Sequence, residues 1–539
     1  MNSLRNSIPT FFRLLGALRR IIPTLFRLLG VLRRNSRRIA FIAACLATLA
    51  VVFYTVERWR WRSQWNRYEA EARTRGARLY MADLERPPLP DAENFAAIPL
   101  FQEFFRDPKS SDQINGYVFS TLLGNKIMAA RSHGLASAES LKALFSSETR
   151  AAARARKVQL SEGIPAVNTA AMIPGLLNDQ SKPLPEGILA LLNEETGPVW
   201  NQLREALPRP SSSLSSLANK PSDETYVRLP FIRVRKAAQI AVIHLHLDAL
   251  QGDGGAAFED LQILLRLANA TTDDVSLVAA MIRIAVMQLA MDGVWSGLGM
   301  EIWDEAALVK IDGLLSGIDL LRTCQFGLEC ERAQQNAFYE QFIAGDFSAL
   351  FEEKKKTPFI CHFFPTGWVY RNRLLANQAF DRMIQQVDPA RRTLTLAHDI
   401  EREIEKRMTS ISRFRDLIYL ITTPNYLRSG ARSAMAEATV RQARAACALE
   451  RYRLSHGSYP ETLAPLVDQR LLPAIPLDPM SNAPMDYQLI EGGHYSLKAT
   501  ETDSRTRDVA SRECPHAWIP GIKPRNPSPL SSPPETSSE

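Results

Sequence analysis

The longest uninterrupted apolar stretch in the chain runs from Ile39 to Val56 and holds no charged residue. About eighteen residues suffice to cross a bilayer core as a helix. In hydrocarbon a single segment can pair its backbone groups only that way. Arg37 and Arg38 flank the stretch on one side, and Trp59, Trp61 and Trp65 follow on the other. Such amphipathic rings are expected at headgroup level. Beyond the anchor the apolar positions take up helical spacing. The pattern and its stop signals predict helices at Ser137–Leu160, Pro185–Leu207 and Phe231–Leu250. A fourth is expected from Ala256 to Ala268, after the Gly252–Gly255 break. A fifth, capped by Thr272 or Asp273, reaches Trp295, a sixth starts at the Asp304 cap, and a seventh spans Leu320 to Ile343. Ala431 to Leu454 reads as a long alanine-rich helix on which Ala436, Val440, Ala443, Cys447 and Leu454 share a face. Strands are expected only near the end, at Tyr487–Ile490 and His494–Ala499 around Gly492-Gly493.

This pattern gives a mainly α fold class: an N-terminal transmembrane helix, an irregular multi-helix bundle or solenoid-like body, and a small α+β C-terminal module. The expected domains are a basic arm at 1–38, the span at 39–56, a juxtamembrane helix with Pro-rich connector at 57–110 and the helical body at 111–430. The long helix with its module follows at 431–510, and a disordered Pro/Ser-rich tail at 511–539. Pro208–Ser222 reads as the best internal boundary, and His398–Arg407 as a solvated charged helix. No repeat of fixed period recurs in the body, so a tetratricopeptide array is not supported.

Charge decides the orientation. The first thirty-eight residues carry nine arginines and no acid, so positive-inside counting puts the amino terminus in the cytoplasm and the bulk of the chain outside it. The expected location is the inner (plasma) membrane with a periplasmic or extracytoplasmic body. Residues 8–20 and 22–34 are a tandem repeat, IPTFFRLLGALRR and IPTLFRLLGVLRR, with a basic stripe at Arg13, Arg20, Arg27 and Arg34. It fits either an interfacial basic amphipathic helix or a duplication that only enforces orientation. Two alternatives to an uncleaved anchor have less in their favour: no small-residue cleavage site precedes the Trp/Arg cluster, and too short an apolar run precedes Ile42-Ala43-Ala44-Cys45 for a lipoprotein box. The formal charge of +7 is local to the arm. Removing nine arginines from 65 basic residues leaves 56 against 58 acidic ones. The body at −2 does not call for nucleic acid.

Of the six cysteines, Cys45 lies in the anchor. Cys324 and Cys330 would lie about 9 Å apart on a helix, beyond disulfide reach. Cys361 and Cys514 complete the set with Cys447, read as a small core residue, and no disulfide framework is expected. The eight histidines are His133, His244, His246, His362, His398, His456, His494 and His516. His244 and His246, two apart, cannot share a helical face. His398 and Glu401 can, but no second such pair accompanies them. Gly492-Gly493 and Pro515 spoil the Glu491/His494 and Glu513/His516 spacings, and Cys361-His362 lacks partners at zinc spacing. H-E-x-x-H, G-x-S-x-G, P-loop and Rossmann motifs are absent. No catalytic, cofactor-binding or metal residue is therefore assigned, and no cofactor is expected.

One passage carries a resemblance. Ala448-Leu449-Glu450-Arg451-Tyr452-Arg453-Leu454-Ser455-His456-Gly457-Ser458-Tyr459-Pro460 is followed by Leu463, Leu466, Leu472, Ile475-Pro476-Leu477-Asp478-Pro479 and Pro484-Met485-Asp486-Tyr487. This resembles the globular end of type II secretion pseudopilins, roughly an eighth of the chain. The resemblance implies a helix, a tight turn, a short helix, a P-x-D-P loop and then strands, with Asp478 as a structural turn residue. The anchor lies far upstream without a prepilin cleavage motif, and 499–508 reads ATETDSRTRD without the family's glycines. Neither calcium nor fibre assembly is carried over. The whole plan also resembles uncharacterised single-pass membrane-anchored bacterial envelope proteins. The expected function is a non-catalytic envelope protein with a helical interaction or scaffolding body. A secretion- or pilus-associated component and a cryptic hydrolase are the alternatives. The expected partners are the lipid bilayer and a protein. Apolar Tyr459, Leu463, Leu466, Leu472 and Ile475 need a partner surface, so the 459–499 segment is expected to fold back on the Ala431–Leu454 helix.

Overall fold

The computed structural model describes residues 36–106, 197–217, 230–346 (except 275), 364–423 (except 396–397), 427–499 (except 491–493) and 517–518. The fold is mainly helical, with two small antiparallel sheets near the C-terminus. The chain forms two compact units, neither contiguous in sequence. One holds 1–77, 336–376 and 407–422; the other holds 78–335, 377–406 and 423–539. The tandem repeat, the expected helix at Ser137–Leu160 and residues 501–516 lie outside the described residues.

The first unit is built on α1, a single helix from Ser36 to Thr74. The expected juxtamembrane helix is thus a direct continuation of the anchor. From Ala40 onward α1 is long and apolar enough to cross a membrane, and Phe41, Leu46, Leu49, Val52 and Val56 are all exposed. Its two hydroxyls inside the apolar stretch are satisfied within the helix. Thr48 Oγ1 donates to Ala44 O at 2.9 Å and Thr55 Oγ1 to Val51 O at 2.8 Å, the back-bonding common for hydroxyls within a helix. Past Val56, the start of α8 (Thr366–Gln385) packs on α1. A Cβ on Gly367 would stand 2.5 Å from the Glu57 carbonyl carbon, so only glycine allows this approach. Trp368 meets Phe53 edge-on at 6.4 Å between centroids. The Arg371 guanidinium lies 4.6 Å from the Trp61 ring centre and that of Arg373 lies 4.1 Å from Trp65. Trp61 and Trp65 are buried packing residues, because their shared i,i+4 face is the one Arg371 and Arg373 cover. Trp59, on another face, remains exposed.

The second unit has α5 (Leu277–Gly299) at its centre. This helix too is long and apolar enough to cross a membrane, but most of it is buried within the protein. It packs against α3 (Phe231–Leu250), α4 (Gly254–Asn269) and α11 (Leu427–His456), and α11 packs in turn on α6 (Glu305–Ser316). Met287, Ala290, Met291 and Val294 of α5 join Leu261, Leu264, Ala443 and Cys447 in one core. Each fully buried Met or Val contributes about 1.5–3 kcal/mol. The α5 cap is Ser276, whose side chain accepts from Ala279 N at 3.1 Å, rather than Thr272 or Asp273. Those two lie in the turn that ends α4, and Asp273 is paired with Arg86. Asp304 caps α6 as expected, accepting from Ala307 N at 2.7 Å. α7 spans Leu320–Ile343.

Pro208–Ser222, read as a boundary, behaves differently where it is described. Buried Asn94 grips it: Asn94 Nδ2 donates to Ser213 O at 2.8 Å, and Ser213 N donates to Asn94 Oδ1 at 2.9 Å. Leu214 N also donates to Ala270 O at 2.9 Å. Its polar composition serves this docking.

The C-terminal module lies on α11. Leu463, Leu466 and Leu472 join the same core as Ala443 and Cys447, while Ile475 stays outside it, 38% exposed. Tyr459 Oη donates to Glu450 Oε2 at 2.8 Å, and Gln442 Nε2 donates to Leu497 O at 2.9 Å. α12 (Ala464–Asp468) is followed by the Asp478 turn, where Asp478 Oδ1 accepts from Met480 N at 2.9 Å and Ser481 N at 2.7 Å. β1 (Val387–Asp388) pairs with β2 (Thr393–Leu394). β3 (Asp486–Ile490) pairs antiparallel with β4 (His494–Lys498), and β4 pairs with β5 (Ala517–Trp518), a strand the sequence pattern does not announce.

Candidate functional site

Three helical segments of the second unit bring titratable side chains together at the α3–α4 hairpin. Helical residues 197–206 contribute Trp200 and Arg204, one turn apart. α3 contributes His244 and Asp248 at the same spacing. Gly252, with φ near 75°, turns the chain, and Asp253 caps α4 by accepting from Ala256 N at 2.9 Å. Asp260 then falls on the inward face of α4, among Ala257, Leu261 and Leu264.

The geometry is that of a clamp. The His244 and Trp200 rings stack 4.2 Å apart at 4°, and the Arg204 guanidinium lies 5.3 Å from the Trp200 ring centre. Arg204 Nη2 is 3.6 Å from Asp260 Oδ1 and 3.8 Å from Asp248 Oδ2, and its Nε is 3.9 Å from Glu259 Oε2. These are ion-pair distances without hydrogen-bond contact. Asp260 is fully buried, whereas Arg204 and Glu259 reach solvent.

Burial, reinforced by the charge of Asp248, pushes the Asp260 carboxyl up to about 9. Burial also raises Asp248, against the opposing pull of Arg204. Apart from one another, the Asp260 oxygens and Asp248 Oδ2 have no well-aligned hydrogen-bond partner. Besides burial and charge, a hydrogen bond between the two carboxyls raises Asp260 and lowers Asp248. Burial and the nearby Arg204 bring His244 down to about 4. At neutral pH the cluster holds a protonated Asp260 and a neutral imidazole beside Arg204. Chemically it can hold one proton away from water. Carboxyls with such different environments are also what acid–base catalysis uses, though here the proton-bearing group is wholly enclosed.

The residues singled out in the sequence fall elsewhere, His244 excepted. The side chains of His246 and His398 lie outside the described residues, as do His133, His362, His516, Cys361 and Cys514 entirely. His456 stacks on Tyr452 at 4.0 Å and meets Ser455 Oγ at 2.8 Å. His494 opens β4, opposite Ile490. Cys324, Cys330 and Cys447 are free and buried, and Cys45 is free and exposed. Among the described residues no group of three or more His, Cys, Asp or Glu side chains could hold a metal ion. Sequence reading missed the Asp248/Asp260 pair, although one signal was present: Asp260 interrupts the apolar stripe Ala257, Leu261, Leu264 of α4.

No protein-family model matches the chain, and neither a curated protein nor a solved structure matches it.

Proposed function

We propose that the chain is a single-pass envelope protein of the inner membrane, amino terminus inside, whose helical body is a non-catalytic interaction or scaffolding module. The observation that carries this reading is the joint between anchor and first unit. α8 grips α1 just past its apolar stretch through Gly367, Trp368, Arg371 and Arg373. A first unit fastened in this way presents its own surface at a set place beside the bilayer, which suits assembly with other membrane-bound proteins. The test is site-specific photo-crosslinking in intact cells from exposed body positions such as Val309, Leu314 and Leu489. Discrete cross-linked species that persist in an Asp260→Asn variant support the reading. A cross-link-free body, with an Asp260→Asn chain that folds normally yet loses the cellular phenotype, would favour the hydrolase alternative.

A specific observation favours a second reading, a secretion- or pilus-associated component. The module after α11 has the order of the pseudopilin globular end: turn, short helix, Asp478 loop and antiparallel strands. Cross-links from Leu489 to components of a secretion apparatus would decide for it.

A further inference from the structure

The first unit carries an apolar surface that its packing leaves uncovered. Between residues 408 and 421, Met408 is 56% exposed, Phe414 60%, Leu417 45% and Ile421 64%. Single exposed apolar residues are ordinary, but four large ones within fourteen positions mark a contact surface. The segment is ordered around an inner side: Ile418 and Tyr419 of α10 (Leu417–Thr422) are buried, while Leu417 and Ile421, four apart, share the outward face.

Its place in the unit is fixed by a short chain of contacts. Buried Asp416 accepts from Arg371 Nε at 2.7 Å and from Arg407 Nη1 at 2.7 Å. The same Arg371 lies over the Trp61 ring of α1. Trp61 stands five residues past Val56, about 7.5 Å further along the helix axis, which is headgroup depth for a helix whose apolar stretch ends there. Tyr419 N donates to Asn372 Oδ1 at 2.7 Å, and Asn372 Nδ2 donates to Arg415 O at 2.7 Å. The exposed apolar residues are thereby held on both sides of a residue tied to the turn where α1 leaves hydrocarbon. The charges facing outward nearby are mostly positive, exposed Glu405, three residues before Met408, being the acidic exception. Arg58, Arg60 and Arg62 are exposed on α1, and exposed Arg413 lies over the Phe414 ring at 4.9 Å. The one acid of the segment, Asp416, is neutralised inside the unit.

We propose that residues 408–421 form a second, monotopic contact with the bilayer that α1 crosses. Met408, Phe414, Leu417 and Ile421 enter its headgroup layer, and Arg413 meets anionic phosphates. This rests on the reading of α1 as a membrane span and adds an interface to it. Apolar side chains with a basic residue between them are the composition such contacts use.

The test uses the full chain with Cys45, Cys361 and Cys514 replaced by serine, reconstituted in vesicles of phosphatidylcholine and phosphatidylglycerol. An environment-sensitive fluorophore is placed by Phe414→Cys, by Ile421→Cys and, as a water-exposed control, by Glu461→Cys. The expected result is at least twofold stronger quenching of the 414 and 421 labels by shallow spin-labelled lipid than of the 461 label. Aqueous iodide should rank the labels the other way, and Arg413→Glu should reduce the lipid quenching. A separate chain labelled only at Cys45 reports on α1 through deep spin-labelled lipid. If Cys45 is quenched while 414 and 421 behave like 461, the anchor stands and the second contact is refuted. If Cys45 is not quenched, the membrane reading fails and the contact with it. Shielding of 414 from iodide without lipid quenching, lost on dilution to one chain per vesicle, would assign the surface to a second copy instead.

Discussion

Asp260 is a residue whose chemistry departs far from its sequence type. Its carboxyl lies at about 9 in the folded chain against about 3.9 unfolded, so the folded state binds the extra proton between those values. This contribution to stability is fully present below the unfolded value and is lost as pH rises through the folded one, at up to about 1.4 kcal/mol per pH unit. His244 works oppositely. Its folded value near 4 lies below the unfolded one, so stability is gained as pH rises from about 4 to about 6.5. The His244 and Asp260 slopes oppose each other up to pH 6.5; above it Asp260 loses stability together with Asp274 and Asp292, whose carboxyls burial raises to about 8 and about 7. Denaturant midpoints should therefore fall between pH 7 and pH 9 in the wild type, and Asp260→Asn should make that fall shallower and end it near pH 8. His244→Phe, which keeps a ring against Trp200, should start the fall near pH 4. A wild-type midpoint that is level from pH 7 to 9 would show that Asp260 is ionised. None of this was legible beforehand, because the shift arises from Asp248 and Arg204, which reach Asp260 only through the fold. The sequence marked only a carboxylate on an apolar stripe.

At the scale of elements, the module after α11 is held by both its core and its polar pins. Leu466 is fully buried against the α11 face that contains Cys447, so Leu466→Ala should cost about 2–5 kcal/mol in a denaturation midpoint. Tyr459→Phe removes the donor to Glu450 but leaves Arg453 Nε donating to that carboxylate at 3.0 Å. A smaller loss, about 1–2 kcal/mol, is expected. Truncation after Gly457 should uncover α11 and speed its proteolysis, and unchanged protection would mean that the module contributes nothing to it. Within the first unit, Gly367→Ala would force the start of α8 off Glu57 at about 1–3 kcal/mol. Limited proteolysis at 366–376 would read the loosening. Much at this scale was legible. Helical periodicity gave Phe231–Leu250 and Leu320–Ile343 with the observed bounds, since long apolar stripes and glycine breaks are local signals. The α5 cap was not, because Ser276 and Asp273 are equally good caps in sequence and only the pairing of Asp273 with Arg86 separates them. Strand β5 escaped for a related reason: Ala517-Trp518 becomes a strand by pairing with β4.

Across the whole molecule, the charge asymmetry of the arm predicts an outward-facing body. A membrane-impermeant thiol reagent should label a Glu461→Cys chain on intact spheroplasts, and labelling only after lysis would reverse the orientation. The apolar run that defines the anchor could be read directly, because a bilayer imposes length and composition on one continuous segment. The interleaving of the two units could not. Residues 336–376 and 407–422 join the N-terminal helix in one compact unit through contacts such as Arg371 with Asp416 and Trp61, which no local pattern encodes.

The unbroken course of α1 has a mechanical consequence. Its 39 residues make a rod about 58 Å long, long enough for its apolar stretch to cross a hydrocarbon layer of about 30 Å. No hinge separates the apolar part from the part that α8 clasps. A flexible tether would let the first unit sample a hemisphere above its insertion point; a rod confines it to one altitude and to rotation about its own axis. Tilting with bilayer thickness would therefore swing the unit as a lever swings its load, and any partner would have to meet it by lateral diffusion at that altitude.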